Sequence, residues 1–248
     1  SAGECTFVGR DAGGGVTSGS YNTGIGAETM MGTVTGSSNT VVGRDGLRAL
    51  TSGSYNCGLG TDVIRQVTTG SNNIGFGSRA GYAVTTGDDN VAIGYKALET
   101  ETTGHGNIAI GTEAFRYLAN ESDYNVAIGY QALDAQSTGT ITEFVAVGYR
   151  ALGSHDRNAS NSSCTAIGGS SLTNLTTGSS NVAVGYGCMS KWYGGTTGSH
   201  NVGVGNDCFD ELTSGNNNIA VGYHSLKVLT TASNNVAIGY EALVAATT

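Results

Sequence analysis

Along most of the chain, apolar and polar positions alternate in one short pattern that ends on a glycine. A large apolar residue stands directly before this glycine, a Val, Ile, Thr or Cys stands three positions before it, and a small residue usually lies between them. The order large, small, large, Gly has a period of two residues, which predicts a short β-strand. We expect large side chains such as Val91 and Ile93 to face the core. Small ones such as Ala92 should face another backbone that approaches closely.

The pattern recurs fourteen times along the chain, at a spacing of 17 to 20 residues. Because one repeat cannot bury its apolar residues alone, successive copies must stack on each other. We therefore predict an all-β fold, a β-solenoid (β-roll or β-helix) of about fourteen coils. It forms a single repeat array over residues 1–248, which we expect to be a segment of a longer protein. The glycines that mark the copies are Gly9, Gly26, Gly43, Gly60, Gly77, Gly94, Gly111, Gly129, Gly148, Gly168, Gly185, Gly205, Gly222 and Gly239.

A single winding of such coils offers little burial. Each coil has about three large apolar side chains worth ~1.5–3 kcal/mol each, whereas ordering its backbone costs ~1–2 kcal/mol per residue. Packing of several chains along the Ala and Gly face would supply the missing burial. The sequence therefore predicts a homo-oligomer, specifically a homotrimer.

The first position of the repeated unit is asparagine in eleven of the fourteen copies. Stacked asparagine amides bond to each other and to turn backbone, so we interpret these residues as a structural ladder. The polar links between units, such as Thr68–Asn73 and Thr102–Asn107, contain glycines that we expect to supply positive φ. The ladder residues are Asn22, Asn39, Asn56, Asn73, Asn90, Asn107, Asn125, Asn181, Asn201, Asn218 and Asn235.

Composition and residue spacing argue against several classes of partner and of chemical activity. The net charge of −8 and the absence of Lys/Arg runs argue against nucleic acid, and no apolar stretch is long enough for membrane insertion. The histidines lack metal-ligand spacing and no catalytic motif is present, so we expect no enzyme activity, no metal and no cofactor. Cys188 and Cys208 occupy the same place in successive repeats. We weigh a disulfide between them against small buried thiols and favour the thiols.

The units Asn90–Leu98, Asn125–Leu133 and Asn235–Leu243, joined by TTGSxN links, resemble the repeats of bacteriophage tail-fibre proteins and the head repeats of YadA-like trimeric adhesins. The resemblance covers essentially the whole chain, although the coil is longer than the usual adhesin repeat and lacks the serine after its glycine. It implies trimeric left-handed β-rolls that are extracellular, on a virion appendage or a cell surface. We therefore expect a structural and adhesive fibre segment whose partner is a host-surface glycan or receptor.

Function is expected where the coils are irregular, because loops carry more function than their scaffold. All extra residues fall in the links 117–124, 134–143, 153–163 and 190–200, which we expect to emerge along one edge. Aromatic rings beside polar groups suit stacking on sugar rings, so this edge is a candidate glycan site, with functionless loop-length variation as the alternative. The candidate residues are Trp192, Tyr193, Tyr117, Tyr124, His155, Asp156 and Arg157.

Several alternatives stay open. The tyrosines that follow the marker glycine indicate a stabilising aromatic row rather than a binding strip. A polysaccharide-degrading fibre would use carboxylates from different coils, with Asp123, Glu121 and Asp156 as candidates. A purely structural filament subunit without a receptor is the third reading. Paired threonines in the links are a feature that could indicate an ice-binding protein, but they lie in turns rather than on a flat strand.

Overall fold

The protein is all-β, as a computed structural model shows for residues 3–117, 121–134, 140–153, 163–191 and 195–245. These residues contain fourteen parallel strands of three residues each and no helix, which confirms the predicted β-solenoid. The strands are β1 Thr6–Val8, β2 Thr23–Ile25, β3 Thr40–Val42, β4 Cys57–Leu59, β5 Ile74–Phe76, β6 Val91–Ile93, β7 Ile108–Ile110, β8 Val126–Ile128, β9 Val145–Val147, β10 Thr165–Ile167, β11 Val182–Val184, β12 Val202–Val204, β13 Ile219–Val221 and β14 Val236–Ile238.

The chain divides into two compact units. Unit 1, Ser1–Tyr124, contains β1 to β7, and unit 2, Asn125–Thr248, contains β8 to β14. Within each unit every strand pairs in parallel with the strand of the next coil, residue for residue, as in the pair Ala92↔Ala109. The longer coils of unit 2 keep this register, as in Ala183↔Gly203, because their extra residues lie outside the strands.

Backbone hydrogen bonds between successive coils continue around the corners. The amide of Asp45 donates to the carbonyl of Ala27 at 3.0 Å, and the amide of Tyr55 donates to the carbonyl of Ser37 at 3.1 Å. These residues have positive φ, 57° for Asp45 and 62° for Tyr55, and Leu47 follows with 49°. The left-handed backbone costs about 1–3 kcal/mol per non-glycine residue, so the stacked coils must hold it in place.

The two faces of the strands are the reverse of the sequence prediction. Ala92 is buried, whereas Val91 and Ile93 on either side of it are partly exposed. Leu59 is 53 % exposed and Phe76 is 40 % exposed, although both directly precede a marker glycine. The prediction that the large side chains form the core and leave the Ala and Gly face bare is therefore wrong. The small residues point inward and the branched residues point outward.

The physical reason is the narrow interior, which the opposite wall of the coil fills with large side chains. A methyl group on Gly58 of β4 would lie 2.9 Å from Cγ1 of Val63, so a larger residue does not fit there. In the preceding coil the sizes are exchanged, because Val41 of β3 faces Gly46. In these two coils the core thus holds one large and one small partner, as close packing requires.

Two kinds of glycine permit the close stacking of coils. The marker glycine Gly77 has φ 129°, and a methyl group there would lie 2.6 Å from the carbonyl oxygen of Gly94 in the next coil. The link glycines Gly70 and Gly104 do not have the positive φ that we predicted for them, whereas Gly106 does, at 64°. At Gly70 a side chain would collide with the carbonyl of Gly87, so the reason for glycine there is close approach.

Candidate binding site

The asparagine ladder is fully hydrogen-bonded in unit 1. In its centre, the Asn73 side-chain amide donates to Oδ1 of Asn56 at 3.1 Å and to the carbonyl of Gly87 at 2.8 Å. Oδ1 of Asn73 accepts the backbone N–H and the side-chain amide of Asn90, both at 3.1 Å. The side-chain contact to the preceding asparagine repeats from Asn39 to Asn107, whereas Asn22 follows Cys5 and its side-chain amide donates to the carbonyl of Gly36. Since all these groups are buried, each asparagine compensates the desolvation of its neighbours.

Unit 2 has a discontinuous ladder because Phe144 and Cys164 stand at two asparagine positions. Oδ1 of Asn125 accepts the backbone N–H of Phe144 at 2.9 Å. The Cys164 sulfur accepts the backbone N–H of Asn181 at 3.4 Å, a weaker bond than an amide oxygen makes. From Asn181 onward the regular contacts resume.

The cysteines are free thiols. Cys188 and Cys208 are buried, with their sulfurs 2.6 Å apart, and each lies against the small inward residue Gly203. Burial raises the pKa of the Cys164 thiol to about 11. The preferred interpretation of Cys188 and Cys208 as small buried thiols matches this arrangement.

A second polar ladder, which the sequence analysis missed, runs two positions before the asparagines. Here a short acceptor side chain receives the backbone N–H of the preceding coil, as when Oγ of Ser71 accepts from Ser54 at 3.1 Å. In unit 1 the series continues with Asp88 accepting from Ser71 at 2.7 Å and Asp123 accepting from His105 at 2.7 Å. Asp123, one of the candidate catalytic carboxylates, therefore serves as a backbone acceptor.

The most buried carboxylate described in unit 1 belongs to Glu101 rather than to a predicted residue. Its Oε1 accepts the backbone N–H groups of Thr102, Thr103 and Gly104 at 2.9–3.1 Å, and that of Glu121 at 3.2 Å. Burial raises the pKa of this carboxyl, and the backbone hydrogen bonds oppose the rise. Glu121, another candidate carboxylate, is exposed. The third, Asp156, lies outside the described residues.

The corner after the marker glycine carries a stripe of ion pairs in unit 1. Glu99 is its best-buried member and contacts Arg79 at 3.0 Å, Arg116 at 3.0 Å and Lys96 at 3.8 Å. Arg65 donates to the hydroxyl of Tyr82 at 3.0 Å, and Arg79 lies over the same ring. These contacts form an unbroken network through Glu28, Arg48, Asp45, Arg44, Asp62, Arg65, Tyr82, Arg79, Glu99, Arg116 and Glu113.

The same corner carries exposed tyrosines in unit 2. Tyr130 and Tyr149 stack with ring centroids 5.6 Å apart, and Tyr223 and Tyr240 stack at 5.3 Å. Such offset stacks stabilise neighbouring coils, as the aromatic-row interpretation expects. The row is interrupted at Gly169, where no ring separates Tyr149 from the next tyrosine, Tyr186.

A cleft of about 290 Å³ lies beside the interruption, and the ring of Tyr186 packs next to Gly169. Tyr149 and Tyr186 form its walls and are 56 % and 61 % exposed. The other lining residues are Arg150, Ser170, Thr173, Asn174 and Ser190. The sequence analysis did not select these residues, because it searched the inserted links rather than the gap that Gly169 leaves in the tyrosine row.

The predicted glycan edge is described only in part. Trp192, Tyr193, His155, Asp156 and Arg157 lie outside the described residues. Tyr117 and Tyr124 are described, but they have different neighbours. Arg116 lies 4.2 Å from the ring centroid of Tyr117, and the exposed ring of Tyr124 covers Gly106.

Comparisons with known proteins place the chain in no family, because no family model, curated protein or solved structure matches it. Within the described ranges, no three His, Cys, Asp or Glu side chains come together as a metal ion would require. Those ranges also contain no helix with the length and apolar character to cross a bilayer.

Proposed function

We propose that the chain is a structural and adhesive fibre segment, trimeric and extracellular, which extends from a particle or a cell and attaches to a host surface. The observation that supports this most directly is the outward face of the strands. It carries mostly branched aliphatic residues in regular rows, and none of the 42 strand residues is charged. In a chain with 30 charged residues, such a face is the surface suited to contact with another copy.

The choice of another copy as the partner follows from charge and periodicity. Because each copy carries a net charge of −8, charged surfaces of two copies repel each other. The uncharged strand face is where two copies can approach with the least repulsion. The rows also repeat with the strand spacing of about 4.8 Å, so a second solenoid presents the same spacing to them. The surface thus differs from that proposed from the sequence: the Val and Ile face, not the Ala and Gly face, packs against sister chains.

The test is the oligomeric state of a charge variant. Phe76 and Ile93 are opposite each other in β5 and β6 and point outward, so Phe76→Glu with Ile93→Glu places two charges on the face without entering the core. Sedimentation equilibrium should give three times the 25.0 kDa chain mass for the unaltered protein and one chain mass for the variant.

A matched control places the same charges elsewhere. Thr69→Glu with Thr86→Glu alters two exposed link positions one coil apart and should leave the trimer intact. A folded monomer from the unaltered chain at micromolar concentration would contradict the proposal. So would an equal loss of assembly in the control.

The attachment role is tested at the predicted edge. Trp192→Ala should weaken retention of the trimer on a panel of immobilised bacterial polysaccharides. If retention is unchanged, the edge around Trp192 is not the attachment site. If neither protein is retained, the purely structural filament becomes the better description.

A further inference from the structure

We propose that the cleft between Tyr149 and Tyr186 binds a single sugar ring that carries a carboxylate, such as a uronic acid residue. This inference rests on the proposed attachment role and names a site and a ligand class for it. The cleft lies wholly within unit 2 of one chain, so its occupancy does not require the trimer.

The walls of the cleft are aromatic and exposed. Tyr130 and Tyr149 show the arrangement that a complete row adopts, with ring planes only 8° apart. At Gly169 the ring is missing, so one face of Tyr149 and one face of Tyr186 have no aromatic neighbour in that coil. The C–H faces of a sugar ring are apolar and pack on such rings. The volume of about 290 Å³ is at the lower end for ligand sites, which suits one ring rather than a long chain.

The charge of the cleft comes from Arg150. Each of the other arginines in the described residues has a carboxylate within 4.0 Å, namely Arg10, Arg44, Arg48, Arg65, Arg79 and Arg116. No ion pair is formed by Arg150 in that part of the chain. In a chain of net charge −8, an unpaired guanidinium beside a cleft selects a carboxylate, which it binds through two parallel N–H donors.

The remaining polar groups suit sugar hydroxyls. Asn174 uses its side-chain amide nitrogen to hold the carbonyl of Lys191 at 2.6 Å, which orients its side chain beside the cleft. Thr173 donates to the carbonyl of Ser170 at 2.6 Å, so its hydroxyl oxygen keeps acceptor capacity. The ammonium group of Lys191 contacts Glu211, so we do not count it among the groups that bind the ligand.

A second gap in the row of tyrosines differs from the cleft in its charged residues. Asn206 interrupts the tyrosines between Tyr186 and Tyr223, but the residue that follows the preceding tyrosine is Gly187, whereas Arg150 follows Tyr149. The carboxylate of Asp207 lies 3.6 Å from His224. This gap therefore has no arginine at the place of Arg150, and it serves as a comparison for the cleft.

The experiment measures binding of methyl β-D-glucuronide, with methyl β-D-glucoside as the neutral match, by isothermal titration or saturation-transfer NMR. The unaltered protein should bind the glucuronide more tightly than the glucoside. Arg150→Gln should weaken glucuronide binding about tenfold or more and remove the preference, as expected for loss of a charge-assisted contact.

Gly169→Tyr should abolish binding by filling the cleft. The variant is expected to fold, because Gly169 lacks positive φ and other coils, such as that of Tyr149, carry tyrosine at this position. The exposed ring of Tyr186 has to shift, since its Cδ2 would lie 3.3 Å from the new Cβ. Asn206→Tyr fills the second gap and should leave binding unchanged.

Glucuronide binding that is equal in the unaltered protein and in Gly169→Tyr overturns the inference, as does the absence of binding at millimolar concentration. Preference for the glucoside over the glucuronide also overturns it. Failure here leaves the trimer proposal standing, since sedimentation tests that separately. Loss of the trimer with intact glucuronide binding would overturn the proposed fibre and retain the cleft.

Discussion

Unit 1 and unit 2 are built from the same coil, yet they differ in regularity. Unit 1 has an unbroken asparagine ladder from Asn22 to Asn107 and a continuous stripe of ion pairs, joined through Tyr82, from Glu28 to Glu113. Unit 2 breaks the ladder at Phe144 and Cys164 and replaces most of the stripe with tyrosines and small polar residues. The comparison indicates that repetition supplies stability, whereas departures from it create the surface where a ligand can bind.

The largest expected difference between the units concerns the ladder. Asn73→Ala removes an amide that contacts Asn56, Asn90 and Gly87, and leaves buried donors and acceptors unpaired. We expect a loss of about 3 kcal/mol from the free energy of unfolding of unit 1. Native-state hydrogen exchange, followed peptide by peptide, measures this within the intact chain.

The control for the ladder prediction is Cys164→Ala in unit 2. Its sulfur makes only long contacts, at 3.4 Å to Asn181 and 3.7 Å to Gly178. The loss should therefore be about 1 kcal/mol. Equal losses for Asn73→Ala and Cys164→Ala would mean that continuity of the ladder does not matter.

The next effect concerns the stripe. The Glu99 side chain is only 7 % exposed and faces three cations, so Glu99→Gln leaves Arg79 and Arg116 without their shared carboxylate. We expect unit 1 to lose about 2 kcal/mol of unfolding free energy, less than for a fully buried pair because the arginines are partly exposed. Urea unfolding and hydrogen exchange at neutral pH measure the loss.

Asp210 occupies the coil position in unit 2 that Glu99 occupies in unit 1. We expect that removing its charge does not destabilise unit 2, in contrast to the effect expected for Glu99. Burial, chiefly, raises the pKa of its carboxyl above the ordinary value of 3.8. Since the folded state then holds the proton more tightly, the contribution of Asp210 to stability falls as the pH rises from that value through the raised pKa. Asp210→Asn should remove this decline and leave unit 2 equally or more stable at neutral pH. A clear loss of stability at neutral pH would contradict the assignment.

Repair of the ladder should produce a smaller gain. Cys164→Asn places an amide oxygen where the sulfur now accepts from Asn181, and an amide donor toward the carbonyl of Gly178. We expect unit 2 to gain about 1 kcal/mol of unfolding free energy, visible as slower hydrogen exchange around β10 and β11. No gain, or a loss, would show that the interruption is not a weak point.

The smallest expected effect is that of salt. Raising sodium chloride to about 1 M shortens the screening length to about 3 Å and weakens exposed ion pairs. Unit 1 should lose about 0.5 kcal/mol of unfolding free energy, and unit 2, which lacks the continuous stripe, should change less. Hydrogen exchange at low and high salt distinguishes the two units. A larger change in unit 2 would contradict the comparison.

The sequence predicted where the strands lie, but it did not predict which of their faces is buried. A period of two residues specifies alternation, and either face satisfies it. The missing signal was the exchange of sizes across the core, where Val41 is matched by Gly46 and Gly58 by Val63. Both pairs place the middle residue of the strand inside.

Other features could not be predicted from single positions. Left-handed backbone at residues such as Leu98, with φ 52°, is imposed by the stack of coils, because leucine itself does not favour it. The cleft, by contrast, had a readable signal in Gly169, which interrupts a row of tyrosines and is followed by the uncharged Ser170. What the sequence did not reveal is that Arg150 forms no ion pair with a carboxylate of the described residues.

The most direct test of the outward face uses a cysteine already present on it. Cys57 is a free, partly exposed thiol in β4 and stands on the outward side with Leu59. In the folded, unaltered protein its alkylation by iodoacetamide, followed by peptide mass spectrometry, should be at least about tenfold slower than in the Phe76→Glu, Ile93→Glu variant. If Cys57 reacts equally fast in both folded proteins, no copy covers this face and the account is contradicted.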